Sequence, residues 1–407
     1  MATNTDIPQG YKATALGIIP QEWEVKTLGN IAEINPSKGK ITSKVVTFLA
    51  MSDISEQGGV INENILPIDS IKPGLTPFRK GDVIIAKITP CFENGKGALL
   101  DKITEDDGFG STEFHVIRCQ QDNKFVYYHT QSYAFRKRLE SQMTGSAGQK
   151  RVPADSVAAY KIAVPPLAEQ RKIAEVLGVW DEAIEKQARL IEKLALRKRG
   201  LMQRLLSAKL RLPGFSEPWK IHKLQELFTE RNETNRTYLP LLSITGDRGV
   251  ILQTESEKRD TSNDDKSKYK RIAKGDIGYN TMRMWQGRSA LSGLEGIVSP
   301  AYTIVVPNTD VDGYYMSVLF KQPRLIYDFW THSQGLVGDT LNCKYRDFGQ
   351  VHICCPPLAE QKAITEVLTA ADREIELAKE KLERLRRQKR GLMQQLLSGK
   401  KRVKINI

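Results

Sequence analysis

A stretch of about 45 residues occurs twice in this chain, and it restricts the possible folds more than any other sequence feature. Pro165-Pro166-Leu167-Ala168-Glu169-Gln170 returns 191 positions later as Pro356-Pro357-Leu358-Ala359-Glu360-Gln361. The match continues without a gap, and 25 of the 45 residues that start at Pro165 are identical in the second copy. A period of this length is too long for a solenoid repeat, so it indicates two copies of one domain-plus-helix module.

The repeated stretch has the pattern of a long helix that forms a coiled coil. Pro166 suits the first turn, where its missing N–H is not needed, and Glu169 favours the positive end of the helix dipole. Apolar residues then recur with spacings of three and four over five heptads, which is typical of a coiled-coil seam. The predicted seam comprises Ile173, Leu177, Trp180, Ile184, Ile191 and Leu194 in the first copy and Ile364, Leu368, Ile375, Leu382, Leu385 and Leu392 in the second.

Two lysines at seam positions favour an antiparallel pairing of the two helices. A parallel, in-register pair would place Lys198 on Lys389 in the core and bury like charges. An antiparallel pair separates these lysines and gives a pseudo-two-fold arrangement, with a globular domain at each end of a rod of roughly 60 Å. Two alternatives stay open: the helices pair with a second chain, or they serve only as a scaffold.

The remaining sequence predicts two similar globular domains, and the whole chain is of the α/β (α+β) class. In the first domain, apolar runs at 45–51, 82–88 and 113–119 predict strands, and residues 125–142 have the spacing and charge of a helix. The predicted divisions are 1–160 for the first domain, 161–211 for the first helix, 212–351 for the second domain, and 352–407 for the second helix with its basic tail.

Weak echoes between the two domains support this division. Trp23 is echoed by Trp219, and the longer echoes pair Lys80-Gly81-Asp82 with Lys274-Gly275-Asp276, Gly97-Ala98-Leu99 with Ser289-Ala290-Leu291, and Tyr127-Tyr128 with Tyr314-Tyr315. The ends of the domains are therefore repeated, whereas their middles have diverged almost completely.

The net charge of +13 is concentrated in the two helical stretches, which together carry about +11. A basic excess indicates nucleic acid or another polyanion as a partner, although a solvated helix face explains it equally well. The chain starts without a secretory signal pattern, and no apolar segment approaches the ~20 residues that span a bilayer. The five cysteines lack ligand spacing and are interpreted as reduced thiols, so we expect a cytoplasmic protein.

Motifs for catalysis or metal binding are missing from the sequence. There is no phosphate loop of the GxxxxGK[ST] type and no nucleophile elbow, and the five histidines lack metal-ligand spacing. The two Pro-Pro pairs follow Val164 and Cys355, not the Asn or Asp of an adenine methyltransferase's catalytic tetrapeptide. We therefore predict no catalytic residue and no metal site, and we interpret Glu169 and Glu360 as helix-start or subunit-contact residues.

Several motifs together carry a family resemblance. They are Ile19-Pro20-Gln21-Glu22-Trp23, Pro218-Trp219, the two PPLAEQ helix starts, the two Lys-Arg-Gly-Leu-Met-Gln stretches, and Leu212-Pro213-Gly214-Phe215. With these motifs the chain resembles a specificity subunit (HsdS) of a type I restriction-modification enzyme. The resemblance spans essentially the whole chain, and the doubled helix motif is its most specific part.

The resemblance implies a role in recognition and assembly. In that family each globular region is a target recognition domain that reads one half of a bipartite double-stranded DNA sequence, and the helices form the antiparallel spacer between them. The helices also dock two DNA methyltransferase subunits, which bring S-adenosylmethionine, and two motor-nuclease subunits add ATP- and Mg²⁺-dependent translocation and cleavage. By this resemblance the chain itself binds no cofactor and is not an enzyme. The alternative is an architectural coiled-coil adaptor that binds DNA without sequence preference.

Candidate DNA contacts are basic and amide side chains near glycine turns or after predicted strands. Lys and Arg contact phosphates, whereas Arg, Lys, Asn and Gln also read base edges in the grooves. For each residue alone, an exposed and solvated side chain is the competing interpretation. The candidates are Lys87, Asn94, Lys96, Lys150 and Arg151 in the first domain and Arg283, Gln286, Arg288, Lys344 and Arg346 in the second.

Overall fold

The computed structural model describes residues 7–39, 41–146, 148–246, 248–256, 264–335 and 341–405. The chain divides into two compact units, one formed by Met1–Ala188 with Glu380–Ile407 and the other by Arg189–Lys379. Each unit combines one mixed α/β domain with a part of each long helix. The predicted α/β (α+β) class is confirmed, whereas the predicted boundaries at residues 160, 211 and 351 stay predictions.

The first unit contains a mixed domain that is followed by a long helix. Its strands are β1 (Tyr11–Thr14), β2 (Gly17–Pro20), β3 (Glu24–Thr27), β4 (Ala32–Ile34), β5 (Val45–Leu49), β6 (Asn64–Pro67), β7 (Thr76–Arg79), β8 (Val83–Ala86), β9 (Gly97–Leu99), β10 (Asp107–Gly110), β11 (Phe114–Cys119) and β12 (Lys161–Val164). Its helices are α1 (Leu28–Ile31), α2 (Asn123–Gln131), α3 (Tyr133–Glu140) and α4 (Ala154–Ala158), and the long helix α5 (Leu167–Leu205) follows.

Two four-stranded sheets form the body of this domain. Their strand orders are β6-β5-β10-β7 and β4-β11-β8-β9, and two further pairs join β1 to β2 and β3 to β12. The adjacent strands β8 and β11 consist mainly of buried β-branched and aromatic residues, which is typical of strands that are covered on both faces. The strands predicted at 45–51, 82–88 and 113–119 are confirmed as β5, β8 and β11.

The single helix predicted over residues 125–142 is two helices in the structure. Ser132 has extended backbone angles (φ −73°, ψ 145°) and separates α2 from α3. Its Oγ accepts a hydrogen bond from the backbone N–H of Phe135 at 3.2 Å, so Ser132 caps the second helix. The prediction was wrong here because the apolar spacing continues across a residue that ends one helix and begins the next.

The second unit repeats this plan, but it has one four-stranded sheet where the first unit has two. Its strands are β13 (Lys220–Lys223), β14 (Phe228–Glu230), β15 (Leu242–Ile244), β16 (Val250–Leu252), β17 (Lys270–Ile272), β18 (Ile277–Asn280), β19 (Ser289–Leu291), β20 (Gly296–Val298), β21 (Tyr302–Pro307) and β22 (His352–Cys355). Its helices are α6 (Leu224–Leu227), α7 (Gly313–Leu319), α8 (Pro323–His332) and α9 (Tyr345–Gln350), and the long helix α10 (Leu358–Leu397) follows.

The core of the second domain lies between one sheet and the helices that cover it. The sheet has the strand order β14-β21-β18-β19, which matches the order β4-β11-β8-β9 of the first unit. Phe348 of α9 lies at the centre of an aromatic cluster, with ring centroids 5.8 Å from Phe329 and 5.2 Å from Tyr279. These buried rings hold β18 and α8 on either side of α9, and that arrangement positions the loop after β18.

The long helices run antiparallel within each unit. In the first unit Asp181 of α5 forms an ion pair with Lys389 of α10, while Glu169, earlier in α5, pairs with Arg402, which follows α10. In the second unit Lys198 pairs with Asp372, and Arg211 pairs with Glu360 in the same way. The predicted antiparallel direction is confirmed. The two seam lysines each contact an aspartate of the opposite helix.

A tyrosine and a tryptophan attach each domain to its helices. Tyr128 donates a hydrogen bond to Asp181 at 2.7 Å, and Tyr314 donates to Asp372 at 2.6 Å. The indole N–H of Trp23 donates to Glu169 at 3.0 Å, as that of Trp219 does to Glu360 at 3.1 Å. The tryptophan contacts give a physical reason for the Trp echo between the two domains, whereas the tyrosine contacts come from the second residue of the first Tyr-Tyr pair and the first residue of the second pair.

The predicted seam residues differ in burial. The buried members are Ile173, Leu177, Leu194, Ile364, Leu368 and Leu382. The partly exposed members are Trp180, Ile184, Ile191, Ile375, Leu385 and Leu392. The most deeply buried positions lie in the first two heptads of each helix, where the helix packs against its own domain as well as against the other helix. The seam as a complete set stays a prediction.

Candidate nucleic-acid interface

Two loops occupy equivalent places in the two domains. Residues 87–96 join β8 to β9, and residues 281–288 join β18 to β19. Each loop-bearing strand pair follows a Lys-Gly-Asp turn whose aspartate is buried and ion-paired. Asp82 accepts two hydrogen bonds from Arg118, at 2.8 and 2.7 Å, and Asp276 accepts two from Arg231, at 2.7 and 3.2 Å. Buried, two-pronged pairs of this kind fix the turns from which the loop-bearing strands start.

An arginine-lined pocket lies beside the loop of the second domain. It has a volume of about 520 Å³ and contains three arginines but no carboxylate among its lining residues in the described part of the chain. The lining residues are Ser243, Ile244, Thr245, Gly246, Arg248, Ser256, Asn280, Arg283, Arg288 and Tyr302. The pocket therefore presents guanidinium, amide and hydroxyl groups on one concave surface.

Local backbone contacts shape this pocket. Thr245 closes a tight turn, because its Oγ1 accepts from the N–H of Arg248 at 3.0 Å and donates to the carbonyl of Gly249 at 2.9 Å. The Arg288 guanidinium lies so close to Gly246 that a Cβ there would be 2.4 Å from its Nη1. Residue 246 must be glycine for this contact, so the position of the Arg288 guanidinium depends on the glycine in the turn.

The loop itself is anchored by apolar packing. Met284 is fully buried, and Gly287 adopts a left-handed conformation (φ +72°) that returns the chain towards β19. Met284 thus holds the middle of the loop, while Arg283 and Gln286 on either side of it are exposed. The exposed side chains can reach a ligand without disturbing the core.

The chemistry of the pocket matches an anionic, hydrogen-bonding ligand. Guanidinium groups bind phosphates and the O6/N7 edge of guanine through paired hydrogen bonds, and an asparagine amide can pair with adenine. Three arginines around Asn280 can therefore bind a phosphate group and read a base edge on the same surface.

Of the second-domain candidates, Arg283 and Arg288 line the pocket, and Gln286 is exposed on the same loop. Lys344 and Arg346 are exposed on the following segment. The backbone N–H of Cys343 donates to the carbonyl of Thr281 at 2.8 Å, so this segment meets the start of the loop. The structure thus brings the two groups of candidates next to each other, although their contact with DNA stays a prediction.

The first-domain candidates are also brought together. The N–H of Thr89 donates to the carbonyl of Lys150 at 3.0 Å, which joins the loop of residues 87–96 to the segment that carries the other basic candidates. Lys150 and Asn94 are exposed, and Lys87 is half-buried. The contact of these residues with DNA stays a prediction.

Three of these candidates have partners inside the domain. Arg151 forms a two-pronged ion pair with Glu113, with its closest N–O distance 2.8 Å, and hydrogen bonds from that guanidinium lower the pKa of Glu113. Lys96 donates to the carbonyl of Met51 at 2.9 Å. The amide of Asn94 donates to Glu56 at 2.9 Å.

The sequence interpretation missed Arg248, Asn280 and Tyr302 of the pocket. Arg248 lies between Gly246 and Gly249 in a polar stretch, and a basic residue in a glycine turn is a signal that could have been used. Asn280 and Tyr302 come from two neighbouring strands, β18 and β21, and only the strand pairing places them in one site.

The described residues contain neither a membrane-spanning helix nor a metal site of clustered side chains. No helix there is long and apolar enough to cross a membrane. No group of three or more His, Cys, Asp or Glu side chains is arranged there to hold a metal ion.

Comparison with known proteins adds the family. Residues 20–195 match the family model of the type I restriction modification DNA specificity domain. The putative MjaX specificity subunit of Methanocaldococcus jannaschii is 26% identical over 97% of both chains. Residues 20–195 therefore belong to this family of DNA specificity domains, and the chain as a whole is similar to specificity subunits of type I restriction enzymes. The specificity subunit of the EcoAI enzyme from Escherichia coli is 42% identical over 160 residues, a match that covers 38% of this chain but only 27% of the EcoAI subunit.

Solved structures of specificity subunits share the fold of this chain. The HsdS subunit from Thermoanaerobacter tengcongensis aligns over 94% of this chain and 98% of its own, with a TM-score of 0.50 and 19% identity. The S subunit from M. genitalium aligns over 92% and 96%, with a TM-score of 0.52 and 15% identity. A chain from a study of complex assembly in the type I R-M system aligns over 94% and 99%, with a TM-score of 0.61 and 19% identity.

Proposed function

We propose that this chain is the DNA-recognition subunit of a type I restriction-modification complex and that each domain reads one half of a split double-stranded target. The observation that carries the proposal is the arginine-lined pocket beside the loop of residues 281–288. A concave site with three guanidinium groups attracts the DNA backbone, and each correctly paired base edge adds roughly 1–3 kcal/mol of discrimination.

The loop of residues 87–96 is the corresponding reading element of the first domain. It occupies the same place between strands, but it presents different side chains, with Glu93 and Asn94 exposed at its tip. The second loop presents Arg283 and Gln286 instead. Because donors and acceptors on the two loops differ, the two half-sites have different sequences, and the full target is asymmetric.

The long helices hold the complex together. They are basic along their exposed faces, and Lys389 and Lys198 are neutralised by the opposite helix, so the remaining positive charge faces solvent. In this proposal the antiparallel pair sets the number of base pairs between half-sites and docks two methyltransferase subunits, with two restriction subunits completing the nuclease. S-adenosylmethionine, ATP and Mg²⁺ bind to those partner subunits. This chain supplies recognition and geometry, and catalysis takes place on its partners.

The competing function is an architectural adaptor that binds DNA without sequence preference, which the basic helices alone would support. Methylation-sensitive sequencing of DNA from cells that express this chain with its methyltransferase partner separates the two. The proposal predicts methylation confined to one split, asymmetric sequence with a constant gap. Methylation without sequence preference, or no association with a methyltransferase, would overturn it.

A further inference from the structure

Arg136 of α3 lies beneath the loop of the first domain and binds its backbone. Its Nη1 donates to the carbonyl of Phe92 at 3.1 Å, and its Nη2 donates to that of Gly95 at 3.1 Å and, at a longer 3.5 Å, to that of Lys96. Its Nε donates to the carbonyl of Thr130 in α2 at 2.8 Å. One guanidinium therefore connects three carbonyls of the loop to the helix behind it.

The Arg136 guanidinium is a buried cation that is bound through carbonyl groups. Its centre lies 4.8 Å from the ring centroid of Phe92, which is fully buried. Burial lowers the pKa of Arg136 to about 10, so the side chain remains protonated at neutral pH. The carbonyl dipoles and the ring face supply the compensation that a buried charge requires, and those carbonyls must stay turned inward to do so.

This inward orientation determines what the loop presents outside. Between the bound carbonyls of Phe92 and Gly95 lie Glu93 and Asn94, both exposed. Gly95 has a positive φ of +85°, and a Cβ at this position would lie 2.9 Å from the carbonyl oxygen of Glu56. The loop is held between Arg136 on one side and the carbonyl of Glu56 on the other. Its backbone therefore has little freedom to change the direction of the two exposed side chains.

In the second domain, the described residues that pack against the equivalent loop are apolar. Ile326 of α8, the helix that corresponds to α3, packs at Gly287, where a Cβ would meet Ile326 Cδ1 at 3.0 Å. Met284 fills the interior under that loop. The guanidinium clamp therefore has no counterpart among the described residues of the second domain, and a substitution of Arg136 can affect one loop and leave the other intact.

We propose that Arg136 is a positioning residue for the first half-site: it fixes the Phe92–Lys96 backbone so that Glu93 and Asn94 meet the edges of bases in a DNA groove. Glutamate accepts from the amino group of cytosine and asparagine pairs with adenine, so the loop selects cytosine and adenine, whose amino groups lie in the major groove. This inference rests on the proposed function, because it assigns a role in reading DNA to a residue that does not touch DNA.

The test uses the full chain assembled with its methyltransferase subunits. Wild type, Arg136→Lys and Arg136→Met are each used to select from a pool of double-stranded oligonucleotides with a random core, and the bound sequences are read. Lys137→Met is the matched control, because it removes a charge from the next residue, whose side chain is 61% exposed. Thermal melting of every variant is recorded in parallel.

We expect Arg136→Met to reduce base preference at the first half-site by about tenfold per position and to leave preference at the second half-site unchanged. Arg136→Lys keeps the charge but not the planar fork, so it should retain part of the preference. Base preference at the second half-site serves as an internal control, because it requires that the same molecules are folded and assembled. Should Arg136→Met fail to assemble, the lysine variant gives the result.

Unchanged first-half-site preference in both Arg136 variants would overturn the inference alone, because the wild type would still select a split sequence. Equal loss at both half-sites, together with a large fall in melting temperature, would also overturn it, since this outcome means a general structural role. If the wild type selects no sequence, the proposed function fails and the inference fails with it.

Discussion

Arg402 forms a two-pronged ion pair with Glu169, a carboxylate that is fully buried, with N–O distances of 2.6 and 2.9 Å. The two residues are 233 positions apart and come from the tail after α10 and the first turn of α5. The same carboxylate accepts the indole N–H of Trp23, so three distant parts of the chain meet at one group. The C-terminal tail is therefore part of the first unit's core structure.

Replacing Arg402 with methionine should destabilise the first unit, because Glu169 would lose its only charged partner among the described residues. Removing one partner of a fully buried pair costs about 3–5 kcal/mol, but the Arg402 side chain is 36% exposed, so we expect about 2 kcal/mol. Calorimetry of the full chain should show a transition lowered by about 5 °C. Lys401→Met, at the exposed neighbour, is the control, and equal melting of the two variants would argue against the role of this pair.

The stability of the first unit should fall as the pH is lowered from 7 to 5, owing to His129. This side chain is buried against Phe125, and burial lowers its pKa to about 3. The unfolded chain, with a histidine pKa of about 6.5, takes up a proton over this range that the folded chain does not. Folding is therefore favoured by rising pH through this window, and His129 alone should account for about 2 kcal/mol between pH 5 and pH 7.

Urea unfolding at both pH values measures this dependence in wild type and in His129→Leu. The variant should lose most of the difference that His129 contributes, whereas His352→Leu, which replaces an exposed histidine of the second domain, should keep it. An identical pH dependence in wild type and His129→Leu would contradict the assignment.

Gly246→Ala should weaken recognition by the second domain without unfolding it. The new Cβ would lie 2.4 Å from Arg288 Nη1, and this end of a flexible side chain can move away. Arg288 would then leave its place in the pocket, and preference at the second half-site should fall about tenfold, as for one lost base-pair contact. Oligonucleotide selection measures the preference, and melting should change by about 1 °C or less.

Gly293→Ala provides the matched control for this experiment. It makes the same substitution in the same domain at a glycine with open space around it. Gly293→Ala should bind like wild type. If Gly246→Ala also binds like wild type, Arg288 does not contribute to recognition from the position that the structure shows.

The repeat and a few charged residues were enough to predict the broad architecture. Lys198 and Lys389 at seam positions predicted the antiparallel helices, because a buried pair of like charges is unfavourable, and the structure pairs each lysine with an aspartate. The buried strands β8 and β11 were predicted from short apolar runs, several of them β-branched and alternating, that are separated by turns with Gly or Pro. In both cases a local pattern contains the information that decides the structure.

The details of the candidate interface depend on contacts between distant residues, which local patterns do not contain. Arg136 looks like any charged residue of an amphipathic helix, and only the approach of the loop 40 or more residues earlier turns it into a clamp. Arg151 and Lys96 were selected as exposed basic residues, but Glu113 and the Met51 carbonyl bind them in the folded domain. Sequence spacing therefore did not show which of the candidate side chains are free of partners inside the domain.

Half-site-resolved methylation sequencing of paired variants tests most directly whether each domain reads its own half of one split target. Cells would carry the methyltransferase partner with wild type, with Arg136→Lys, or with Arg288→Lys. We predict that Arg136→Lys relaxes the methylated sequence in one half only, that Arg288→Lys relaxes it in the other half only, and that the gap stays constant. Relaxation of the same half by both variants, or of both halves by either variant, would contradict the account.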